Sequence, residues 1–217
     1  MPRWLTNLLV ALVVIGIPPF LILSNLYVFM TPSYLDFEYG KPGFPKADRF
    51  NDAERRANAA ASIEYVRGNL SFEHFKALGV YNEREIKHMV DVRELVAKVT
   101  VFHAVEGVLL LIALIALAWS RATRALAARG LLGGTLLTLA LFGVLGLFAV
   151  IAFNTFFTAF HRVFFEGDSW RFNYSDSLIQ FYPLPFWFDT AVALVALTMI
   201  EALTVGAIVW WWQRQKS

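Results

Sequence analysis

Two histidines, His88 and His161, are the side chains best suited to chemistry in this sequence, since each lies close to a long apolar run. An imidazole has an ordinary pKa near 6.5, so it can take or return a proton at neutral pH. His161 stands at the start of a segment, 160–189, that is dense in aromatic and acidic residues. A simple connection between two helices needs only a few turn residues. The two histidines are therefore candidates for general acid–base catalysis at one membrane face.

Other kinds of catalytic site find little support. The chain has no cysteine, which excludes a disulfide and a thiol nucleophile. It contains neither a GxSxG nucleophile motif nor an HExxH zinc motif, and its four histidines lack the spacing of a local metal pair. We therefore predict a site that uses no metal and no cofactor.

The composition indicates how these histidines are held. The chain has 217 residues, of which 58% are hydrophobic and 17% charged, and the apolar residues form long runs. A helix needs about 20 apolar residues to cross a bilayer. Four runs are long enough, at about 5–30, 99–119, 131–157 and 184–212. The sequence thus predicts an all-α membrane protein with four transmembrane helices, forming a single membrane domain over 1–217.

Positive charges predict the orientation, because Lys and Arg in short loops stay on the cytoplasmic side. The basic residues that flank one side of the predicted spans are Arg3, Arg121, Arg124, Arg129, Arg214 and Lys216. Both termini are then cytoplasmic, and the segments 31–98 and 158–183 face outward. The net charge of +2 comes from these anchors, so nothing favours nucleic-acid binding.

The outer segment between the first two spans has its own predicted elements. Alternation in 34–39 indicates a short strand. Capping residues predict a helix from Asn51 to Gly68, a shorter one from Ser71 to Gly79, and a third that starts at Asn82. The third has no breaker and is expected to run into the second span.

Several polar side chains lie inside the spans. His103 and Glu106 are one turn apart, and Glu201 lies deep in the last span; each is a candidate for a site or for a structural contact. Ser24 and Asn25 are expected to bond to a neighbouring helix, and the glycines of the third span are expected to serve helix packing.

Other residues near the histidines are candidates for support or substrate binding. Asp91 follows His88 by three residues on one helix face. A carboxylate can orient an imidazole, although each aspartate taken separately is better explained as a cap or an ion-pair partner. Trp170 and Trp187 are interpreted as part of an aromatic belt and as packing residues. The candidates are Asp91, Arg162, Asp168, Tyr174, Asp176 and Tyr182.

Three motifs are similar to those of a known family. They are SYLDFEYGKPGFP (33–45), NEREIKHMVDV (82–92) and FHRVFFEGDSWRFNYSDSLIQFYPLPFWFD (160–189). Together they resemble a bacterial four-span membrane family that includes the lipoprotein intramolecular transacylase, and the resemblance covers nearly the whole chain. It implies transfer of the sn-2 acyl chain of a diacylglyceryl-modified cysteine to that residue's own α-amino group.

The resemblance also implies roles for residues. His88 and His161 correspond to the catalytic pair. On chemical grounds we expect one of them to act as base and the other, with Arg162 or Tyr182, as oxyanion donor or proton return. The implied partners are the diacylglyceryl-modified N-terminus of a lipoprotein and membrane lipid, in the bacterial cytoplasmic membrane with the site on its outer face. The alternatives are a lipid esterase that uses the same histidines, and a non-enzymatic membrane protein, either a proton-linked transporter that uses His103, Glu106 and Glu201 or a scaffold that binds a partner. The sequence does not specify an oligomeric state.

Overall fold

The computed structural model describes residues 1–215, so the predicted anchor Lys216 lies outside the described residues. Within that range every regular element is an α-helix. The helices are α1 (Arg3–Phe29), α2 (Pro32–Tyr39), α3 (Asp52–Val66), α4 (Phe72–Ala77), α5 (Glu83–Trp119), α6 (Arg121–Ile151), α7 (Phe153–Phe164), α8 (Ser177–Phe181) and α9 (Leu184–Arg214). Four of them, α1, α5, α6 and α9, are long and apolar enough to cross a membrane. The predicted all-α membrane fold with four spans is confirmed.

Helix α5 extends far beyond its membrane-spanning part. The apolar run 99–119 is preceded by the polar residues 83–98 in the same unbroken helix of 37 residues. The predicted capping box is present, because the backbone N–H of Glu85 donates to Asn82 Oδ1 at 3.0 Å and that of Asn82 donates to Glu85 Oε2 at 2.8 Å. His88 thus lies 11 residues before the apolar run, about 16 Å along the helix axis.

Two boundaries differ from the prediction. The predicted spans leave residues 120–130 as a basic loop between the second and third helices. This prediction is wrong, because α6 begins at Arg121 and only Ser120 separates it from α5. The Ser120 carbonyl accepts the backbone N–H of Arg124 at 2.9 Å, so the basic residues belong to the first turns of a helix. The predicted third span, 131–157, is split at Ala152, whose φ of −139° ends α6 and starts α7. Apolar residues continue through this break, so the hydropathy pattern contains no sign of it.

The chain divides into two compact units, and the first, which we call the membrane unit, comprises 1–26, 101–147 and 193 onward. In this unit, helices α1 and α6 approach each other closely. A Cβ on Gly134 would lie 2.7 Å from Ile17 Cβ, and one on Gly133 would lie 3.0 Å from Val14 Cγ2. Small residues permit this contact, which confirms the packing role predicted for Gly133 and Gly134. The same prediction is wrong for Gly143, because a Cβ there would meet no atom of another described helix within 4 Å.

Polar residues of the membrane unit join its helices. Asn25 Nδ2 donates to Glu201 Oε2 at 2.7 Å and to Thr198 Oγ1 at 3.2 Å, which links α1 to α9. Ser24 Oγ lies 3.0 Å from His103 Nε2, which links α1 to α5. The interhelical contacts expected of Ser24 and Asn25 are therefore confirmed, and Glu201 takes part in one of them.

The second unit, which we call the polar unit, comprises 27–100 and 148–192. The strand predicted at 34–39 is wrong, since these residues belong to helix α2. Thr31 caps this helix by accepting the backbone N–H of Tyr34 at 3.2 Å, and Pro32 occupies its first turn, where a missing N–H costs nothing. These start signals lie just upstream of the alternating residues and override their weak strand pattern.

The remaining helices of the polar unit follow the predicted caps. Asn51 caps α3 in a complete capping box with Glu54, and Ser71 caps α4. The chain leaves α3 and α4 through Gly68 (φ 84°) and Gly79 (φ 68°), a backbone region that favours glycine.

The core of the polar unit fixes the segment after α7 against the start of α5. Glu85 Oε1 accepts the backbone N–H of Leu178 at 2.7 Å, and Ser177 Oγ donates to the carbonyl of Val80. The buried apolar members of this core are Leu35, Ala59, Tyr65, Phe75, Met89, Leu178, Phe181, Tyr182 and Phe186. Since His88 lies one turn after Glu85, this packing determines what surrounds the histidine.

Candidate active site

The structure brings His88 and His161 together within the polar unit. Their ring centroids are 6.3 Å apart and the ring planes are inclined by 27°. His88 comes from the polar part of α5 and His161 from the last turn of α7. Neither the sequence separation nor any local pattern joins them, so the meeting of the two rings is a product of the tertiary fold.

The ring of His161 is held in a defined protonation pattern. Its Nδ1 lies 2.7 Å from the backbone carbonyl oxygen of Phe157, one helical turn earlier. A carbonyl oxygen can only accept a hydrogen bond, so Nδ1 carries the proton in this contact. In the neutral ring Nε2 is then unprotonated, with a lone pair that can accept a proton from a substrate.

Aromatic rings surround His161 on several sides. The ring centroid of Phe157 lies 4.1 Å from that of His161, and the centroid of Trp170 lies 4.9 Å away. Trp170 is only 8% exposed, and its Nε1 donates to the carbonyl of Gly167 at 3.1 Å. Gly167 has a φ of 63°, which folds the chain back so that the indole reaches the histidine. The packing part of the interpretation of Trp170 therefore fits, whereas the belt part is wrong, because this residue forms a wall of the site.

His88 is the more deeply buried member of the pair, with 8% of its surface exposed. Phe165 and Phe172 contact its ring, at centroid distances of 4.9 and 5.4 Å. Its Nδ1 is buried and has no hydrogen-bond partner among the described residues. A buried polar atom without a partner is costly, and such atoms commonly serve a function that needs them unpaired.

Burial also sets the charge of the pair. Burial, followed by the proximity of His161, lowers the pKa of His88 to about 4. Burial lowers the pKa of His161 as well, partly opposed by the hydrogen bond to the Phe157 carbonyl. Both imidazoles are therefore neutral at pH 7, the state in which one can act as a base and the other as a neutral hydrogen-bond donor.

Aromatic residues are the part of this site that sequence reasoning missed. Phe165 and Trp170 were not distinguished from the many other aromatic residues of the 160–189 segment. A usable signal exists for Phe165, which follows His161 by four residues and lies one turn away on the same side. Nothing local identifies Phe172 as a neighbour of His88.

The predicted supporting aspartates do not contact the imidazoles. Among the described residues Asp91 forms no hydrogen bond with His88, whose Nδ1 is unpartnered. Asp168 pairs with Arg171 at 3.2 Å, three residues later. The structural interpretation preferred for the aspartates therefore fits Asp168.

Asp176 is also engaged in structural contacts. Its carboxylate accepts hydrogen bonds from Asn82 Nδ2 at 3.1 Å, Arg84 Nη2 at 3.2 Å and the backbone N–H of Asn173 at 2.7 Å. Asp176 thus fastens the segment after α7 to the start of α5 and supports the site at a distance.

Among the described residues the remaining predicted side chains form no hydrogen bond with either imidazole. Tyr182 is buried and donates its hydroxyl to the carbonyl of Ala59 at 2.6 Å, so its expected role as an oxyanion donor is wrong. Tyr174 is 88% exposed, and Arg162 is also exposed. Residues 1–215 contain no group of three side chains placed to hold a metal ion.

Comparison with known proteins identifies the family. The sequence model of the family described as "Lipoprotein intramolecular transacylase Lit" matches residues 9–187. An uncharacterised protein of Aquifex aeolicus (strain VF5) is 29% identical over 212 residues, which cover 91% of each chain.

Solved structures show the same fold. The membrane-integral lipoprotein intramolecular transacylase Lit from Bacillus cereus superimposes with a TM-score of 0.84, covering 99% of both chains at 19% identity. Variants of that protein with one histidine replaced by arginine or by alanine give TM-scores of 0.74 and 0.73 at the same identity. They cover 98% of this chain and 93% or 95% of the solved chains. The family match spans most of the sequence, and this chain belongs to the lipoprotein intramolecular transacylase (Lit) family.

Proposed function

We propose that this chain moves the sn-2 acyl chain of a diacylglyceryl-cysteine lipoprotein to the α-amino group of the same cysteine, giving a lyso-form lipoprotein. Membership of the Lit family supports the reaction class. The observation that carries the assignment of residues is the hydrogen bond between His161 Nδ1 and the Phe157 carbonyl, which leaves Nε2 free to act as a base.

The base is needed because of the acceptor amine. An α-ammonium group has a pKa of about 8, so most of the acceptor is protonated at neutral pH and only the minor neutral form can attack. As the amine nitrogen bonds to the ester carbonyl carbon, that nitrogen becomes acidic and His161 Nε2 takes its proton. The surrounding Phe157 and Trp170 exclude water from this transfer.

His88 is assigned to the oxygen side of the reaction. Negative charge develops on the ester carbonyl oxygen as the tetrahedral intermediate forms, and a fixed hydrogen-bond donor there stabilises the transition state. The buried, unpartnered Nδ1 of His88 can supply that hydrogen bond in its N–H form. When the intermediate collapses, the bond between the carbonyl carbon and the glycerol oxygen breaks. The glycerol oxygen then takes the proton that His161 accepted from the amine. An amide bond replaces an ester bond, and no proton is gained or lost.

An apolar cleft can hold the acyl chain. Residues around the break between α6 and α7 and at the start of α9 line a cavity of about 630 Å³, and Phe153 is one of them. The Phe153 ring lies 5.8 Å from that of Phe157, which in turn contacts His161. We assign this cleft to an acyl chain of the substrate. Because the ester and the amine belong to one molecule, holding them in contact supplies much of the rate advantage.

The location proposed is the bacterial cytoplasmic membrane, with both termini inside and the histidines at the outer face. The support is the set of arginines at one end of the spans, including Arg3, Arg121 and Arg214. Since the native chain has no cysteine, single cysteines at Asn69 and Ala125 can be tested separately with a membrane-impermeant thiol reagent. Labelling of intact cells should modify only the cysteine at 69, and labelling of the cysteine at 125 instead would reverse the proposed orientation.

Mass spectrometry of lipoproteins tests the reaction. The chain is expressed in a bacterial host whose lipoproteins carry diacylglyceryl-cysteine with a free amine, and the N-terminal lipopeptides are sequenced. We expect lyso-form peptides with one amide-linked and one ester-linked acyl chain. Only unmodified diacyl peptides, from a well-expressed protein, would contradict the proposal. Release of free fatty acid without N-acylation would identify the esterase alternative.

A further inference from the structure

Arg55, at the first turn of α3, is a buried cation outside the histidine site. It is 3% exposed, and its Nη1 donates to the carbonyl of Pro45 at 2.6 Å. The guanidinium lies over the rings of Tyr39 and Phe44, at 4.2 and 5.1 Å from their centroids. Its Nε and Nη2 have no hydrogen-bond partner in the described part of the chain.

Among the described residues the guanidinium of Arg55 has no acidic side chain as an ion-pair partner. Of the ion pairs formed by residues 1–215, none includes Arg55. A buried charge is normally paired, because removing it from water is expensive. Two aromatic faces offset only part of that cost, since a cation–π contact stabilises by about 0.5–2 kcal/mol. An anion beside Arg55 would supply the missing compensation.

A cavity of about 440 Å³ adjoins this residue. Its lining includes the basic residues Lys41, Lys46, Arg55 and Arg56 and the acidic residues Asp36 and Asp52. Asp36 is engaged by Arg56 through two hydrogen bonds. Lys41 is held by Glu38 at 2.7 Å and by Asp189 at 2.8 Å.

Within the described residues neither Lys46 nor Arg55 forms an ion pair, and of the two acidic residues in the lining only Asp52 is left unpaired. A strong point charge at Lys46 and a planar fork of donors at Arg55 together match the oxygens of a phosphate group.

We propose that this cavity binds a phosphate group, either from the headgroup of an anionic lipid or from free phosphate. Its position along the chain favours the lipid. Only two residues separate helix α2 from the end of the first span, and the Phe29 ring packs against that of Tyr34 at 4.8 Å. Phe37 on α2 is 63% exposed, with Lys41 Nζ 5.1 Å from its ring centroid, a pairing of apolar and cationic groups typical of a membrane interface.

This inference goes beyond the acyl transfer, because the cavity is lined by residues 36–56 and includes neither histidine. Its test is accordingly a binding measurement that does not depend on activity. The full-length protein is purified and reconstituted in nanodiscs of phosphatidylcholine. Short-chain phosphatidylglycerol or inorganic phosphate is then titrated, and binding is followed by native mass spectrometry and by the rise in thermal stability.

Saturable one-to-one binding of phosphatidylglycerol, weakened by salt, would support the proposal with the lipid as source. Binding of inorganic phosphate alone would support the anion site with free phosphate as source. No saturable binding of either would overturn it.

Charge variants at the cavity rim assign the binding to this cavity. Lys46→Gln should weaken binding about two- to fivefold, as expected for loss of one exposed charge contact. Asp52→Asn removes an acidic group from the same lining and should tighten binding by a similar factor. Lys76→Gln, at an exposed lysine on α4, is the matched control and should change nothing.

Arg55→Gln should weaken binding more than tenfold, with circular dichroism and gel filtration reporting whether the variant is folded. If Arg55→Gln does not fold, the variants at the exposed residues Lys46 and Asp52 still test the proposal. Equal affinities in Lys46→Gln, Asp52→Asn and the parent protein would overturn the assignment.

Discussion

The Nδ1 atom of His161, in the last turn of α7, donates a hydrogen bond of 2.7 Å to the backbone carbonyl of Phe157, one turn earlier in the same helix. This contact selects one tautomer and directs the basic Nε2 away from the helix. His88 has no equivalent partner at Nδ1. The two rings, 6.3 Å apart, are therefore chemically distinct although both are neutral, with His88 buried and His161 half-buried.

Replacing either histidine should remove most of the activity. We expect His161→Ala to lower the rate of lyso-form production by roughly 10²–10⁴, the usual contribution of a general base. His88→Ala should cost a similar factor through loss of an oxyanion donor. His74→Ala, on the exposed face of α4, should retain full activity. Quantitative mass spectrometry of lipopeptides measures all three, and parent-level activity in His161→Ala would remove that residue from the mechanism.

The dependence of rate on pH should follow the substrate amine. Burial lowers the pKa of both histidines, that of His88 to about 4, so the neutral form of each is favoured at pH 6.5 and above. Protonation of the enzyme should then have little effect between pH 6.5 and 8. The α-ammonium must lose its proton, so kcat/KM should rise about tenfold per pH unit and level off near pH 8. A rise that levels off at pH 6.5 would contradict this assignment and indicate an unshifted histidine.

Trp170 should matter for positioning. Its ring packs 4.9 Å from that of His161, and its Nε1 anchors it to Gly167. Trp170→Ala should reduce kcat by about 10–100-fold, because a small displacement of a catalytic group is costly. Trp170→Phe restores a ring without the Nε1 anchor and should recover part of this loss. Trp187→Ala, at a residue that is 40% exposed, is the comparison. Equal kcat in Trp170→Ala and the parent protein would show that the indole does not position His161.

Tyr182 should contribute to stability and leave the chemistry unaffected. Its hydroxyl donates to the Ala59 carbonyl in the core of the polar unit. Tyr182→Phe leaves that carbonyl unsatisfied and should cost about 1–3 kcal/mol of stability. The midpoint of thermal unfolding should fall, while kcat measured at low temperature stays within about twofold. Tyr174→Phe, at an exposed residue, should change neither quantity. A large loss of kcat in a folded Tyr182→Phe protein would place this hydroxyl back in the reaction.

Glu201 should act as a link between helices. Its Oε2 accepts from Asn25 Nδ2 at 2.7 Å, and a glutamine carbonyl at the same position can accept the same bond. Glu201→Gln should therefore retain acyl transfer, whereas Glu201→Leu, which leaves Asn25 without this acceptor, should lower thermal stability. Measuring both properties in proteoliposomes separates this role from proton transfer. Loss of activity in a stable Glu201→Gln protein would favour the transporter alternative.

The sequence by itself determined the class of protein and the choice of its two candidate histidines. Apolar runs long enough to cross a bilayer can only form helices there, because every backbone polar group must be satisfied within the segment. Side-chain caps at Asn51, Ser71 and Asn82 are local hydrogen-bonding signals, and the structure places helix starts at each of them. His88 and His161 could be selected because few other side chains here can move a proton at neutral pH.

Only the tertiary structure decided what surrounds that pair. The break at Ala152 lies inside a continuous apolar run, and the start of α2 depends on a cap that competes with a strand pattern. Trp170 and Tyr182 are similar aromatic residues in one segment, yet one lies against His161 and the other is committed to the Ala59 carbonyl. Their roles depend on contacts between residues distant in sequence, and such contacts are set by the packing of the whole unit, which local composition does not record.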